Sequence, residues 1–202
     1  MKRFQPLFVL ILLILSSFNI QTGKPLLVKW VINKGCSLKV DGSTNINKFS
    51  CIITSNAPSD TLIFEKIKAS ESIKVDGCLK LNVQQFDCHN PVMTSDLRKT
   101  LKSKEFPELI IKFISLSRFP NHEFGDFIKG VITIELAGVV KRFDIKYRVM
   151  QLSGNRLKLI GARHLNFSDF NIIPPRKLGG MIKTDDELKV EFNLIVKVLE
   201  NA

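Results

Sequence analysis

The side chains of this sequence best suited to metal binding or reaction are four cysteines and three histidines. Structural zinc sites usually take two ligands from a closely spaced cysteine pair such as C-x-x-C. No such pair occurs here, and the histidines are single and scattered. We therefore expect no metal site and no cofactor, and disulfide formation is the better use of the thiols. The residues are Cys36, Cys51, Cys78, Cys88, His89, His122 and His164.

The local contexts of the cysteines bear on how they pair. Four cysteines can form two disulfides in three ways. Cys51 follows Phe-Ser and Cys88 follows Phe-Asp, and these similar contexts favour a Cys51–Cys88 disulfide. This choice leaves Cys36 to pair with Cys78. In the chain-entropy model, a bridge closing a loop of this size stabilises the fold by roughly 3 to 4 kcal/mol.

Catalytic arrangements are not evident in the sequence. Catalysis requires a nucleophile with its base, paired carboxylates or a metal cluster at spacings that converge. The chain has no nucleophile elbow, no H-E-x-x-H and no glycine-rich phosphate loop. His164 and Asp169 are close in sequence, but their context predicts surface or turn positions. The Gly179-Gly180 pair follows two prolines and predicts a turn rather than an anion cradle. We therefore predict no catalytic residues and no enzyme.

Apolar and polar residues alternate along most of the chain, which is the pattern of half-buried β-strands. One row of side chains then faces a core and the other faces water. Glycines near the ends of these runs suit turns. The longest alternating runs are 143–149 and 188–196, and shorter ones occur at 38–40, 49–53, 79–83, 109–113 and 131–136.

One segment departs from this alternation and predicts a short helix over Thr94–Glu105. Leu97 and Leu101 lie four residues apart, a Thr or Ser is available as the N-cap, and Pro107 follows. Strands with tight connections and a single helix predict an all-β protein with an antiparallel sheet. About eight such strands can close into a barrel that holds one small ligand. Periodicity alone leaves a β-sandwich open.

The N-terminal residues have the organisation of a secretory signal peptide. Lys2 and Arg3 precede the apolar run Leu7–Leu15, and small or polar residues follow. The run is about half the length needed to span a bilayer. We predict a cleavable signal in residues 1–23, without an Ala-x-Ala triplet to mark the cut, and one domain in 24–202. The mature protein is then periplasmic or secreted, where thiols commonly pair.

The net charge of the chain is +11, and its basic residues are spread out rather than clustered. Lys146 and Arg148, for example, fall on the expected wet face of one strand. A nucleic-acid surface would concentrate basic residues together with aromatic ones. We therefore expect solubility, a weak attraction to anionic membrane surfaces, and no nucleic-acid partner.

Several short motifs follow one another in an order that carries a family resemblance. Each is weak alone, and together they span almost the whole expected mature chain. They are Trp30 and Ile32 in an opening strand; the run from Leu38 to Cys51; Asp96, Leu97, Leu101 and Lys102 leading into Phe106-Pro107-Glu108; Gly130 to Ile134 with Ala137-Gly138-Val139 and Lys141; and Phe167 to Ile172 with Pro174-Pro175 and Gly180 before a closing strand from Leu188. In this order and spacing the chain resembles the YceI-like family.

The resemblance implies an exported, extended, eight-stranded antiparallel barrel of the lipocalin-like kind, without catalytic residues. Its long apolar cavity would hold an isoprenoid chain. Two features depart from the commoner family pattern. Asn47 stands near the place of a histidine, and Ser95-Asp96-Leu97-Arg98-Lys99 stands in place of an Arg-Asp-x-His-Leu run. If those polar groups recognise a headgroup, this chain holds a different ligand or none.

Two functions fit these expectations. The first is an exported lipid-binding or carrier protein that holds an isoprenoid or other long apolar chain, since each buried methylene contributes about 0.8 kcal/mol. The alternative is a non-catalytic envelope protein-interaction module with a filled barrel. The candidate cavity-lining residues for the first are Trp30, Leu38, Val40, Phe49, Leu109, Ile111, Phe113, Ile132, Ile134, Phe143, Ile145, Tyr147, Phe170, Phe192 and Leu194.

Overall fold

Strands make up most of the chain in the computed structural model, which describes residues 26–55, 60–66, 72–120 and 126–199. The predicted signal in residues 1–23 lies outside the described residues, as do His122 and Gly125. Within the described ranges there are thirteen strands and one α-helix, α1 (Pro91–Thr100). The strands are β1 (Leu26–Ile32), β2 (Ser37–Ser43), β3 (Lys48–Thr54), β4 (Thr61–Lys66), β5 (Ile73–Asp76), β6 (Cys78–Asn82), β7 (Glu108–Leu116), β8 (Phe127–Leu136), β9 (Val139–Gln151), β10 (Arg156–Asn166), β11 (Arg176–Lys177), β12 (Ile182–Lys183) and β13 (Glu187–Leu199).

Eight of these strands close into an antiparallel barrel. Their order around the barrel is β1, β4, β5, β7, β8, β9, β10 and β13, and β13 pairs again with β1. The long strand β13 also pairs with β2 through its first half, and β3 pairs with β2. Strand β6 extends β5 along β7, and β11 with β12 forms a separate hairpin. The expected all-β, eight-stranded, lipocalin-like barrel is confirmed.

The barrel has two ends that differ in what covers them. We call the end at which β2, β8 and β10 finish the upper end. It carries α1, the loop 44–47 and the segment 167–186. The lower end, at which β9 and β13 finish, carries the turn 152–155. Among the described residues, no helix has the length and apolar character needed to cross a bilayer.

Alternating side chains build the core, because the inward rows of paired strands meet. Val190 lies opposite Val40, and Phe192 lies opposite Leu38, and all four are buried. The alternating runs 143–149 and 188–196 therefore form strands with one row of side chains toward the core, as predicted. The alternating runs found in the sequence did not include β4, β5 or β10. In β10 the alternate positions read Leu157, Leu159, Gly161, Arg163 and Leu165. The glycine and the exposed arginine among the buried leucines obscure the pattern.

The helix begins and ends earlier in the chain than the sequence pattern predicted. It spans Pro91–Thr100 rather than Thr94–Glu105. Asn90 is the N-cap, and its side-chain oxygen accepts a hydrogen bond from the Met93 N–H at 3.0 Å. A proline at the first helical position favours this start, because its missing N–H has no helical partner there. After Thr100 the chain turns, and Lys102 takes a left-handed φ of 52°, which ends the helix.

Candidate ligand-binding site

The lower interior of the barrel is filled by aromatic side chains. The rings of Trp30 and Phe64 are buried, with centroids 4.4 Å apart. Phe119 packs against both, with its ring centroid 6.4 Å from that of Trp30 and 5.8 Å from that of Phe64. Contacts at these separations are those of well-packed aromatic clusters. These three rings therefore occupy this part of the barrel.

The middle of the interior is filled by Tyr147, which lies over two glycines. A Cβ atom added at Gly130 or at Gly161 would come within 2.9 Å of the Tyr147 ring. The two glycines thus make space for the ring on the neighbouring strands β8 and β10. Tyr147 is almost completely buried, and this burial raises the pKa of its phenol well above the ordinary value. The side chain is therefore a neutral filler at physiological pH.

The upper interior contains a small apolar cavity of about 50 Å³. Binding pockets for small molecules usually measure about 300 to 1,000 Å³, so this cavity alone is too small for a lipid tail. Its lining is apolar apart from Asn166. The lining residues are Leu38, Val40, Phe86, Leu97, Leu101, Leu109, Ile134, Leu136, Leu165, Asn166, Phe167, Phe170, Ile172, Leu188 and Val190.

A wider groove of about 290 Å³ opens to the outside directly above this cavity. Leu97 of α1 and Phe167 at the end of β10 line both spaces, so these two side chains form the partition between groove and cavity. The exposed lining area of the groove is mostly carbon. Its residues are Thr44, Ile46, Asn47, Phe49, Cys51, Asn90, Val92, Met93, Asp96, Leu97, Phe167, Pro175, Lys177, Ile182 and Thr184.

Hydrogen bonds and one disulfide hold the walls of the groove in place. The Asn45 side chain donates to the Met181 carbonyl at 2.9 Å and accepts from the Lys183 N–H at 2.9 Å, which joins the loop 44–47 to the β11–β12 hairpin. Lys177 donates to Asp96 at 2.7 Å and so joins that hairpin to α1. The groove is therefore bounded by three segments that are fastened to one another at their edges.

A disulfide joins Cys51 of β3 to Cys88, two residues before the N-cap of α1. The predicted second disulfide, between Cys36 and Cys78, is not formed, because the two residues lie in different parts of the barrel wall. Cys36 lies between β1 and β2, Cys78 begins β6, and β4 separates these positions around the barrel. The Cys36 thiol instead donates to the Asn33 carbonyl at 3.1 Å and accepts from the Ile195 N–H at 3.2 Å.

The two free thiols differ in their surroundings. Burial raises the pKa of the Cys36 thiol, and the Ile195 N–H acts in the opposite direction without cancelling the effect. Burial also raises the pKa of Cys78, and the nearby Asp60 carboxylate adds to this increase. Because thiolate is the reactive form, neither cysteine has the lowered pKa of a nucleophile. Cys36 is fully buried, whereas Cys78 is partly exposed.

Strands β9 and β10 separate in the upper half of the barrel, and side chains fill the gap. Their ladder runs from the Gln151–Leu157 pair to the Tyr147–Gly161 pair. Beyond it, the buried ring of Phe170 packs near Phe143, with centroids 6.2 Å apart. The Arg163 guanidinium donates to the Asp144 carbonyl at 2.8 Å and so bridges the two strands. The wall beside the cavity is thus made of side chains where the backbone ladder is missing.

The fifteen predicted lining residues lie on the barrel strands, on β2 and β3, or, for Phe170, in the segment after β10, and they serve different parts of the structure. Thirteen are buried, and Phe49 and Phe143 are half-buried. Leu38, Val40, Leu109, Ile134 and Phe170 line the upper cavity, and Phe49 lines the groove. The others lie elsewhere in the wall or core: Trp30, Ile111, Phe113, Ile132, Phe143, Ile145, Tyr147, Phe192 and Leu194.

Several lining residues were missing from the sequence-derived set because they come from outside the inward rows of the strands. Leu97 and Leu101 belong to the helical region, and Phe167 and Ile172 belong to the segment that follows β10. The i, i+4 spacing of Leu97 and Leu101 does identify an apolar helix face. This spacing would identify both leucines as lining residues if the helix were expected to cover the end of the barrel.

Polar side chains in the described part of the chain form ion pairs and hydrogen bonds rather than a metal site. No group of three or more His, Cys, Asp or Glu side chains is placed there to hold a metal ion. His164 lies 3.0 Å from Glu187, and both side chains are exposed. A broad depression of about 820 Å³ runs beside α1, with Arg98, Lys99 and Lys102 among its polar lining. Like the groove it is open to water, but polar atoms make up a larger share of its lining than they do in the groove or the cavity.

These features define a class of protein: a closed, lipocalin-like antiparallel barrel with a packed lower half and an apolar opening at its upper end. Comparison with solved structures places the chain in the YceI-like fold. BcnA of Burkholderia cenocepacia superposes with a TM-score of 0.59 at 14% identity, over 79% of this chain and 95% of that one. A polyisoprenoid binding domain from Saccharophagus degradans, described as implicated in plant cell wall breakdown, superposes with a TM-score of 0.59 at 11% identity. The match covers 84% of this chain and 98% of that one.

A third structure, the YceI protein of Campylobacter jejuni, has a TM-score of 0.51 at 13% identity, over 70% of this chain and 82% of that one. Sequence comparison adds no closer relationship, since no family model and no curated protein matches the chain. At these identities the likeness establishes the fold.

Proposed function

We propose that this chain is an exported lipid-binding or carrier protein that holds an isoprenoid or another long apolar chain in its barrel. The observation that carries the proposal is the position of Leu97 and Phe167, which line both an open apolar groove and a smaller, less open apolar cavity. An apolar tail that displaces these two side chains enters a single continuous space. In this arrangement the ligand enters through the groove, and the end of its tail lies in the cavity.

The energetics favour an apolar chain over a polar ligand. The cavity lining offers almost no hydrogen-bonding groups, so a polar ligand would lose its hydration without compensation. Each methylene moved out of water contributes about 0.8 kcal/mol, so a tail of a few prenyl units offsets the rearrangement of two side chains. The description of the Saccharophagus domain as polyisoprenoid binding supports an isoprenoid as the first ligand to examine.

An alternative proposal is a non-catalytic interaction module with a filled barrel. It is favoured by one specific observation, the volume of only about 50 Å³ in the upper cavity above an aromatic-filled lower half. In this case the barrel is a rigid scaffold, and the outer surface binds a protein of the envelope. The two proposals differ in whether the interior accepts an apolar chain in solution.

The distinguishing experiment measures uptake of the fluorescent fatty acid cis-parinaric acid by delipidated, folded protein. The carrier proposal expects saturable uptake with blue-shifted emission, competed by an unlabelled polyprenol. Filling the cavity by Val190→Phe is expected to reduce uptake, with circular dichroism verifying the fold. Absence of saturable uptake by the folded protein would reject the carrier proposal and favour the interaction module.

Export of the protein, with residues 24–202 as one domain, belongs to the same proposal. Its support is the signal-like N-terminus together with the Cys51–Cys88 disulfide. Disulfides form and persist in oxidising compartments such as the periplasm and the extracellular space. A lipid carrier in such a compartment shields an apolar chain from the water between membranes.

A further inference from the structure

The β11–β12 hairpin carries two large apolar side chains at its tip, and both face solvent. Leu178 is 66% exposed and Met181 is 71% exposed. A Cβ atom added at either intervening glycine, Gly179 or Gly180, would meet nothing within 4 Å. The tip thus stands clear of the rest of the protein. Exposed side chains of this size that pack against nothing in their own fold are typical of contact sites.

Other exposed apolar side chains surround the same end of the barrel. Ile46 lies in the loop 44–47, which is hydrogen-bonded to the hairpin, and Val92 lies in the first turn of α1. They are 65% and 69% exposed, and both also line the rim of the groove. Ile173, which is 82% exposed, begins the connection to the hairpin. The hairpin tip is therefore the projecting part of a larger apolar rim around the groove.

The charges on the hairpin are all positive. Between residues 176 and 183 the sequence reads R-K-L-G-G-M-I-K, with Arg176, Lys177 and Lys183 flanking the apolar tip. Lys177 is paired with Asp96, while Arg176 and Lys183 are exposed. The acidic residues that follow, Asp185 and Asp186, accept hydrogen bonds from Ser43 and Ser168. An apolar tip between basic residues matches the chemistry of an anionic bilayer surface, where acyl chains lie beneath negatively charged headgroups.

We propose that the β11–β12 hairpin docks the protein onto an anionic lipid bilayer, with Leu178 and Met181 inserted among the acyl chains. In this orientation the groove faces the membrane, since Ile46 and Val92 on its rim lie at the same end. The proposal names the partner of the proposed carrier site and extends that function. Membrane docking is nevertheless a separate property, because neither Leu178 nor Met181 lines the groove.

The test is co-sedimentation of the full mature chain with vesicles of phosphatidylglycerol and phosphatidylcholine, compared with pure phosphatidylcholine. We expect binding to the anionic vesicles that weakens as salt is raised. The Leu178→Ser/Met181→Ser variant is expected to bind at least about tenfold more weakly. The control is Leu27→Ser/Phe127→Ser, which removes two side chains that are 52% and 51% exposed near the lower end, and which should bind like the unmodified protein.

Three results would overturn docking by the hairpin: no binding to anionic vesicles, unchanged binding by the hairpin variant, or equal loss in the control. A hairpin that binds a protein or a second copy instead would give the first of these results. Uptake of cis-parinaric acid without vesicles separates docking from the carrier function. If the hairpin variant keeps uptake but loses vesicle binding, both proposals stand. Vesicle binding that depends on the hairpin, without uptake by any variant, leaves docking intact and rejects the carrier.

Discussion

At the scale of single residues, the chemistry of each cysteine is set by its neighbours in the fold. Cys51 and Cys88 lie on segments joined by backbone hydrogen bonds between Ile52 and Asp87, so their sulfurs meet. Cys36 is enclosed beside Ile195, whereas Cys78 lies beside Asp60 nearer the surface. Similar sequence contexts identified the first pair. The second pairing had been assigned by elimination, and the barrel wall keeps those two residues apart.

The first prediction concerns the count and reactivity of free thiols. Alkylation of the unreduced, denatured protein is expected to label two cysteines, Cys36 and Cys78. In the native protein only Cys78 should react, because Cys36 is buried. Since the pKa of Cys78 is raised, its labelling should be slow at neutral pH and increase as the pH rises. Mass spectrometry of intact protein gives the count.

A Cys78→Ser variant serves as the control for this measurement. It should retain one thiol that reacts after denaturation and none that reacts in the native state. If the unmodified, denatured and unreduced chain takes up no label, Cys36 and Cys78 are joined, and the arrangement of free thiols described above is wrong.

At the scale of elements, α1 is a wall of the site that no strand ladder holds. It is attached by the Lys177–Asp96 ion pair, by the hydrogen bond that Arg98 donates to the Phe86 carbonyl, and by the disulfide next to its start. The pairs β10–β13 and β8–β9, in contrast, are tied by continuous hydrogen-bond ladders. Opening of the groove into the cavity is therefore expected to involve rotation of Leu97 or displacement of α1.

The second prediction tests Leu97 as part of the partition. Leu97→Ala should lower the free energy of unfolding by about 2 to 5 kcal/mol, since a buried leucine is truncated. It should also raise the rate of cis-parinaric acid uptake, because groove and cavity then become continuous. Stopped-flow fluorescence measures the uptake rate, and urea unfolding measures stability.

The matched control is Leu157→Ala, which truncates a buried leucine of β10 near the lower end, away from the groove. It should lose stability to a similar extent and leave the uptake rate unchanged. Equal uptake rates in both variants and in the unmodified protein would show that Leu97 does not control entry.

At the scale of the whole molecule, the two halves of the barrel differ in how they are built. Inside the closed sheet, Trp30, Phe64 and Phe119 pack the lower half, and Tyr147 packs the middle. In the upper half, β9 and β10 separate, and side chains replace the missing ladder. In the carrier proposal, the packed half is the scaffold and the half with the interrupted ladder receives the apolar chain.

The third prediction concerns export of the whole chain. Expressed with its own N-terminus in a Gram-negative host, the protein should appear in the periplasmic fraction. Its mass should be smaller than the 22.9 kDa of the full chain by the predicted signal. A Leu12→Lys variant, which places a charge in the apolar run, should stay in the cytoplasm at full length. Recovery of the unmodified chain uncleaved in the cytoplasm would contradict the signal assignment.

The sequence by itself determined the fold class, the inward rows of the longer strands and the presence of one helix. These follow from local periodicity, because alternation places side chains on opposite faces of any strand. The sequence did not reveal β10 as a strand, since Gly161 and Arg163 stand at alternate positions among its buried leucines. Both residues are explained by contacts in the tertiary structure. Gly161 makes room for the Tyr147 ring, and Arg163 lies where β9 has moved away.

The tertiary structure alone decided which apolar residues line a space and which fill one. Trp30 and Leu38 both occupy inward positions on neighbouring segments, yet Trp30 packs in the aromatic cluster and Leu38 faces the cavity. The difference depends on the volumes of side chains that arrive from distant parts of the chain. The cavity volume is the small difference between the volume enclosed by the barrel and the volume of the side chains inside it. Local sequence patterns do not report that difference.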